Sequence, residues 1–263
     1  MIRLKTEKQI DGIRLSCKML SAMYRELIPL VRPGAETLEI DRWVRNWIKL
    51  AGARPVFLGY GSPGKPYPAA ICISINNEVI HGIPSKRKIL PGDLVGLDCG
   101  IDLGGYISDQ ALSVEAGRVS RDVHDLNIAT RECLYRGIAA AKAGDRLLQI
   151  ARAVEGHAKA RGYGVVRDYC GHGVGFALHE DPHVPNSPHG PNPRMGNGMV
   201  FAIEPMINMG TGDVLLEDDG WTVVTADGRF SAHWEHTVAI HNGKTEILTD
   251  PLEDLLQDGF PSL

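Results

Sequence analysis

Long hydrophobic runs are missing from this sequence of 263 residues. No stretch approaches the roughly 18 consecutive apolar residues that a membrane-spanning helix needs. The first residues, MIRLKTEKQIDG, also lack the apolar centre of a secretory signal peptide. These absences predict a cytoplasmic protein without a membrane-spanning segment.

Paired cysteines and an excess of positive charge are missing as well. The five cysteines are odd in number and scattered, and they include no C-x-x-C pair, which argues against a disulfide framework and a zinc ribbon. The formal net charge is −4, so we expect no extended basic surface for nucleic acid. The apolar share of 43% and the charged share of 23% are typical of a globular domain, which directs attention to individual motifs.

The spacing of apolar residues predicts four helices in two pairs. Steps of three or four predict an amphipathic helix over residues 10–31 and a second helix that ends near Gly52. The same order returns in the second half of the chain, with a helix over residues 124–143 and another that ends near Gly162. Two matching helix pairs suggest an internal repeat, although amphipathic helices can also match by chance.

Two strand-like segments strengthen the repeat. Residues 92–98 (GDLVGLD) and 198–204 (GMVFAIE) each run from a glycine to a carboxylate, with apolar residues two apart before the acid. Together with the helices they predict an α+β fold of two related halves, about residues 1–118 and 119–263, with sheets in the middle and helices outside. Because no linker rich in Pro, Gly or Ser separates the halves, we expect them to share one core.

Four carboxylates lie in apolar, strand-like runs, and they are Asp98, Asp109, Glu204 and Glu235. Taken alone, Asp98 or Asp109 fits a solvated loop or turn residue as well as it fits a functional residue. A buried acid without a partner would cost several kcal/mol, and no arginine lies in these same runs. A divalent metal centre would neutralise several such acids together, so the pattern favours a metal site.

The chemistry of the candidate ligands narrows the choice of metal. Oxygen-rich ligation with one or two imidazoles suits Mn²⁺, Fe²⁺, Co²⁺ or Zn²⁺ in an open catalytic site, whereas a closed structural zinc site would use cysteines. The imidazoles stand in residues 167–185 (RDYCGHGVGFALHEDPHVP), whose glycines look like a phosphate-binding loop. A Walker lysine and a strand–loop–helix setting are missing there, which argues against nucleotide binding.

At this point the sequence resembles the methionine aminopeptidases. The resemblance covers almost the whole chain and rests on five motifs in order. They are residues 74–84 (SINNEVIHGIP), a predicted hairpin from Asp98 to Asp109 with its turn at residues 103–105, residues 171–175 (GHGVG) with His179 downstream, residues 198–205 (GMVFAIEP) and residues 235–237 (EHT). Five motifs with compatible spacing make a specific match, where a single one would be weak.

The resemblance implies a pita-bread (creatinase/aminopeptidase-like) fold, with central antiparallel sheets and outer helices, in one catalytic metallopeptidase domain over residues 1–263. It implies a centre of two divalent ions, in which Asp109 and Glu235 bridge the metals. The ligands it implies are Asp98, Asp109, His172, Glu204 and Glu235. The implied reaction is hydrolysis after the initiator methionine of nascent proteins, with a small second residue preferred.

The resemblance also implies roles for further side chains. Glu204 would take the proton of the attacking water, His179 would donate to the scissile carbonyl oxygen, and His81 would bond to the scissile nitrogen or the intermediate. The methionine pocket would comprise Tyr60, Tyr67, Cys72, Leu178 and Trp221, although apolar residues at such spacing also fit a plain core. Carbonyls of Asn76 and Ser231 would be offered to a Na⁺ or K⁺ ion.

The sequence departs from the pattern of the methionine aminopeptidases at three places. Residues 59–68 are expected to form a longer loop than compact bacterial members have, Phe57 stands where a cysteine is common, and Leu178 replaces an aromatic residue found in some members.

A related peptidase for Xaa-Pro bonds is a rival interpretation, but the segment before the first helix is too short for the amino-terminal domain of prolidases. A catalytically silent binding protein is another, but all five ligand positions are filled. We therefore expect a monomeric, bacterial-style type I enzyme that works near the ribosome.

Overall fold

The computed structural model describes residues 1–256. Its four α-helices are α1 (Glu7–Leu27), α2 (Thr37–Leu50), α3 (Arg121–Ala140) and α4 (Leu148–Ala160). All four predicted helices are present, with ends that differ by a few residues. The first stops at Leu27 and continues as a 3-10 turn, Ile28–Leu30, because Pro29 has no N–H with which to extend the α-helix.

The strands are short and numerous. Those of the first half are β1 (Arg54–Pro55), β2 (Gly61–Ser62), β3 (Lys65–Pro66), β4 (Cys72–Ile75), β5 (Glu78–Ile80), β6 (Leu94–Leu103) and β7 (Tyr106–Glu115). Those of the second half are β8 (Gly164–Val165), β9 (Gly171–Gly173), β10 (Glu180–Val184), β11 (Val200–Ile203), β12 (Met206–Asn208), β13 (Val214–Leu216), β14 (Val223–Thr225), β15 (Ser231–His233), β16 (Glu235–His241) and β17 (Lys244–Ile247). A second 3-10 turn, Glu253–Leu255, follows β17.

One nine-stranded antiparallel sheet runs through both halves of the chain. Its order is β1-β6-β7-β16-β11-β9-β10, with β4 added to β6 and β17 added to β16. The hairpin of β6 and β7 comes from the first half, and its partner β16 comes from the second half. The β7–β16 pairing therefore joins the two halves into a continuous sheet.

The register of this sheet places the predicted acids on one face. Asp98 lies opposite Ala111, which in turn lies opposite Glu235, and Asp109 lies opposite Gly100. Residues directly opposite each other in an antiparallel sheet share a face, as do residues two apart along a strand. Asp98, Asp109 and Glu235 therefore project to the same side.

The helices cover the outside of the sheets. Helix α1 packs on β6 and β7, while α3 packs on α4 and β15. The fully buried side chains of α1, among them Ile13, Leu20 and Leu27, recur at the helical spacing seen in the sequence. Within residues 1–256, the helices are all too short or too polar to cross a membrane.

Candidate active site

All twelve residues that the sequence predicted for catalysis, metal binding or the pocket line one cavity of about 210 Å³. They are Tyr60, Tyr67, Cys72, His81, Asp98, Asp109, His172, Leu178, His179, Glu204, Trp221 and Glu235. One wall of this cavity is acidic and another is apolar and aromatic. The cavity thus joins a cluster of potential metal ligands to a pocket for an apolar group.

The acidic wall brings three side chains within coordinating reach of one another. One ligand atom each from Asp109, His172 and Glu235 lie within 4.8 Å of one another. The Nε2 atom of His172 is 3.8 Å from Asp109 Oδ2 and 3.4 Å from Glu204 Oε1. All four of these side chains are buried, so the arrangement is shielded from bulk water.

Asp98 also lines the acidic wall, and with Asp109, Glu204 and Glu235 it forms the acid cluster of the cavity. Several oxygens of this cluster lack a protein partner. Within residues 1–256, the inaccessible atoms Asp98 Oδ1, Asp109 Oδ1 and Glu235 Oε1 accept no hydrogen bond. A buried carboxylate oxygen without a donor is unfavourable, because it has lost water and gained nothing in return. Divalent cations bind such oxygens directly, so the donor set fits a metal centre.

Burial raises the pKa of all four acids in the cluster, and repulsion from neighbouring carboxylates adds to it at Asp98, Asp109 and Glu235. Burial raises the pKa of Asp98 to about 7 and that of Glu204 to about 8. The pKa values of Asp109 and Glu235 lie well above the ordinary range, first through burial and then through the neighbouring carboxylates. Without a cation the cluster therefore keeps protons at neutral pH, and a bound cation would displace them.

Between pH 6.5 and about 8, the metal-free protein is expected to lose stability as the pH rises. The unfolded carboxylates are already ionised in this window, whereas the folded protein still holds protons on Asp98 and Glu204. The folded state binds more protons, so the free energy of unfolding falls with rising pH, by about 2 kcal/mol. Urea unfolding at the two pH values measures the difference. Equal or greater stability at the higher pH would contradict the expectation.

His172 has the protonation state of a metal ligand. Burial lowers its pKa to about 3, so the imidazole is neutral. Its Nδ1 lies 3.0 Å from the carbonyl oxygen of Gly173, to which an Nδ1–H can donate. This hydrogen bond leaves the lone pair on Nε2, the atom that faces Asp109 and Glu204.

The glycines around His172 allow close packing of strands. A Cβ atom at Gly171 would lie 2.4 Å from the carbonyl oxygen of Ala202, and one at Gly173 would lie 2.3 Å from that of Asp181. Strand β9 passes between β10 and β11 with no room for side chains at these two positions. The glycine pattern is thus explained by backbone approach, and it holds His172 against the acids.

His81 is held in an uncommon backbone conformation at the edge of the cavity. Its φ angle is 60°, in the left-handed region that residues other than glycine rarely adopt. Burial lowers its pKa to about 4, and the ring packs edge-on to Tyr169 and Trp221 at centroid distances of 5.8 and 6.3 Å. Such strain is typical of functional positions whose surroundings fix them.

His179 lies at the mouth of the cavity on a turn that its neighbour braces. The ring centroid is 4.1 Å from that of His172, and partial burial lowers the pKa of His179. One carboxylate oxygen of Glu180 accepts hydrogen bonds from the backbone N–H groups of Phe176 and Ala177, at 2.7 and 3.0 Å. Its other oxygen pairs with the buried ammonium of Lys5 at 2.5 Å. The turn that presents His179 is therefore fixed from both sides.

The apolar wall is anchored by hydrogen bonds behind it. The hydroxyl of Tyr67 donates to the carbonyl of Gly82 at 2.8 Å, and its ring meets Trp221 edge-on at 5.2 Å. The backbone N–H of Trp221 donates to Asp219 Oδ1 at 2.8 Å. Burial keeps the pKa of the Cys72 thiol well above its usual value, so it contributes a neutral surface.

Four further residues line the cavity that the sequence did not mark as pocket residues: Phe57, Ile80, Tyr169 and Cys170. Ile80 lies inside the motif of residues 74–84, and Tyr169 and Cys170 lie just before the motif of residues 171–175. This closeness to a motif is the signal in the sequence that could have identified them as cavity residues. His233 lies behind Glu204, with its Nε2 3.6 Å from Glu204 Oε2.

The pair marked for a monovalent cation is also adjacent in space. The backbone N–H of Ser231 donates to the carbonyl of Asn76 at 2.8 Å. The side chain of Asn76 bonds to Asp93 and to the N–H of Leu94, which fixes its turn between β4 and β5. Its φ angle of 63° is left-handed.

Comparison with known proteins supplies the family context of this site. The model of metallopeptidase family M24 matches residues 11–242. A methionine aminopeptidase of Treponema pallidum is 52% identical over 255 residues, which cover 96% of this chain and 98% of that protein. The similarity therefore spans both halves of the sheet.

Solved structures share the same architecture. The methionine aminopeptidase from Rickettsia prowazekii matches with a TM-score of 0.91 at 34% identity, over 95% of this chain and 100% of that chain. A prolidase from Pyrococcus furiosus matches with a TM-score of 0.75 at 23% identity, over 95% of this chain and 66% of that chain. The second likeness shows a shared fold alone.

Proposed function

The chain belongs to metallopeptidase family M24, and from this membership we infer that it catalyses the metal-dependent removal of N-terminal methionine from peptides. The predicted pita-bread fold is confirmed by the structural likeness. The observation that carries the function is the single cavity in which a buried acid cluster adjoins an apolar pocket. The cluster supplies hydrolytic chemistry and the pocket accepts an uncharged side chain.

We propose that Asp98, Asp109, His172, Glu204 and Glu235 hold two divalent ions, with Asp109 and Glu235 shared between them. The unpartnered oxygens and the neutral His172 support this assignment. When bound, Mn²⁺, Fe²⁺, Co²⁺ or Zn²⁺ would lower the pKa of water and stabilise negative charge on oxygen. A Na⁺ or K⁺ ion beside Asn76 and Ser231 belongs to the same proposal.

Glu204 is proposed to move the proton of the attacking water to the leaving amine. The carboxylate of Glu204 lines the same cavity as the other proposed ligands, so it can accept a proton from water bound there and pass it on. Its two oxygens face His172 and His233 at 3.4 and 3.6 Å.

The two histidines at the cavity wall are proposed to bind the scissile peptide group. A neutral His179 at the mouth would donate a hydrogen bond to the carbonyl oxygen as negative charge develops there. His81, neutral because of its burial, would bond to the scissile nitrogen or to the intermediate. Their lowered pKa values support donation from neutral rings.

The methionine side chain is proposed to occupy the apolar wall. Tyr60, Tyr67, Cys72, Leu178 and Trp221 would surround it, with Phe57 completing the floor. A small second residue is expected to fit best, because His179 and Tyr60 narrow the mouth. We further propose that the protein acts as a monomer in the cytoplasm, on nascent chains near the ribosome.

The proposed function is tested by peptide hydrolysis. Protein loaded with Mn²⁺, Fe²⁺, Co²⁺ or Zn²⁺ in turn is expected to release methionine from Met-Ala-Ser, and to act more slowly on Met-Trp-Ser. The matched alternative substrate is Ala-Pro-Ser, which an Xaa-Pro peptidase would prefer. Preferential cleavage of that peptide would overturn the proposal, and equal rates on both methionine peptides would remove the preference for a small residue.

A further inference from the structure

The one hydrogen bond that the structure gives to the His179 ring within residues 1–256 comes from the pocket side. Tyr60 Oη lies 2.5 Å from His179 Nδ1, and the two rings meet edge-on at a centroid distance of 5.2 Å. The hydroxyl therefore contacts the ring nitrogen directly. Tyr60, which the sequence predicts to line the methionine pocket, is therefore also hydrogen-bonded to His179, which we propose to contact the substrate.

The direction of this hydrogen bond follows from the acidity of the two groups. A phenol is the more acidic donor, and a neutral imidazole nitrogen is the better acceptor, so O–H donation to Nδ1 is the stronger arrangement. Burial raises the pKa of Tyr60 and lowers that of His179, which keeps both groups neutral and suited to this pairing. When Nδ1 accepts, the ring proton must reside on Nε2.

We propose that Tyr60 is a positioning residue, whose hydroxyl holds His179 in the tautomer that carries a proton on Nε2 and aims that N–H at the substrate. Neutral imidazole divides its population between two tautomers unless a partner selects one. The tautomer with a bare Nε2 could accept a hydrogen bond but could not donate one to a carbonyl oxygen. Selection by Tyr60 therefore acts on the step in which negative charge develops.

Tyr60 is itself fixed by the backbone around it. Its N–H donates to the carbonyl of Phe57 at 2.9 Å, and its carbonyl accepts from the N–H of Tyr67 at 2.7 Å. The hairpin of β2 and β3 begins directly after it, with Gly61 opposite Pro66. Residues 60–67 thus close into a small ladder. That ladder brings the Tyr60 hydroxyl to His179.

Kinetics of Tyr60→Phe test this role, and this arm rests on the proposed function. The variant keeps the ring and loses the hydroxyl, so kcat for Met-Ala-Ser is expected to fall about tenfold while KM changes by less than about twofold. If Tyr60 acts through His179, adding Tyr60→Phe to His179→Ala is expected to change kcat by less than about twofold. A rise in KM with unchanged kcat, or full additivity, would overturn the proposal.

Nitrogen-15 spectra of labelled histidine test the tautomer without any turnover. In the Zn²⁺-loaded wild type, the His179 signals, assigned by their loss in His179→Ala, are expected to show a protonated Nε2 and an unprotonated Nδ1. Tyr60→Phe is expected to shift both toward the average of two tautomers. A protonated Nδ1 in the wild type would overturn the proposal even if the Phe variant failed to fold.

Tyr163→Phe is the matched control, because Tyr163 precedes β8 and does not line the cavity. It should leave both kcat and the His179 spectrum unchanged. If the wild type releases no methionine while its spectrum shows the expected tautomer, the proposed function fails and the positioning role stands. A change in the His179 spectrum of Tyr163→Phe would count against a specific role for Tyr60.

Discussion

Removal of the divalent ions is expected to abolish methionine release, and return of Mn²⁺, Fe²⁺ or Co²⁺ to restore it. The physical reason is the acid cluster, in which Asp98, Asp109, Glu204 and Glu235 cannot all ionise in one buried cavity without a cation. Metal binding must therefore expel protons. Titration calorimetry at pH 7 in buffers of different ionisation enthalpy measures how many are released.

Asp109→Asn is the variant that accompanies this experiment. It removes a carboxyl group that must lose its proton before it can bind metal, so weaker metal binding with fewer released protons is expected. Asp145→Asn serves as its control, because Asp145 lies outside the cavity. Full activity after chelation would contradict the metal dependence. A protein that stays inactive with metal restored would favour a silent, binding role for this fold.

Glu204→Gln is expected to lower kcat for Met-Ala-Ser by about a thousandfold. The amide keeps the size of the side chain but cannot take a proton from water, which removes a contribution of two to four orders of magnitude. The same change also weakens one bond to the proposed metals. Measurement of kcat at saturating Mn²⁺ separates the two effects, because excess ion compensates only for lost affinity.

A glutamate outside the site gives the comparison for that experiment. Glu26 is exposed on α1, and Glu26→Gln should leave kcat unchanged. A turnover close to that of the wild type at saturating metal would remove Glu204 from proton transfer.

The positions of the acids were predictable because carboxylates are unexpected in apolar, strand-like runs. Asp98 and Glu204 each end a run of apolar residues two apart, and the strands β6 and β11 lie where those runs stand. The equal spacing from glycine to acid in the two runs indicates equivalent positions in the repeat. The end of α1 was also readable in the sequence, because Pro29 cannot extend an α-helix, yet the helix predicted over residues 10–31 ran through it.

Contacts between distant loops could not be predicted from the sequence. Nothing local to Tyr60 or His179 indicates that their side chains meet, since the contact depends on how the hairpin of β2 and β3 closes. The left-handed backbone of His81 is likewise set by its surroundings, because residues other than glycine, histidine included, adopt it only uncommonly. Tertiary structure decides such features.

The pairing of β7 with β16 has a consequence for the order of events during synthesis. Glu235 enters the sheet opposite Ala111, a residue made long before it, so the acid cluster is incomplete until β16 has left the ribosome. Pairing of strands so far apart in sequence is slow compared with helix formation. A half-made chain would have the first two proposed ligands, Asp98 and Asp109, without the others. The complete set of acids thus forms only after β16 has been synthesised.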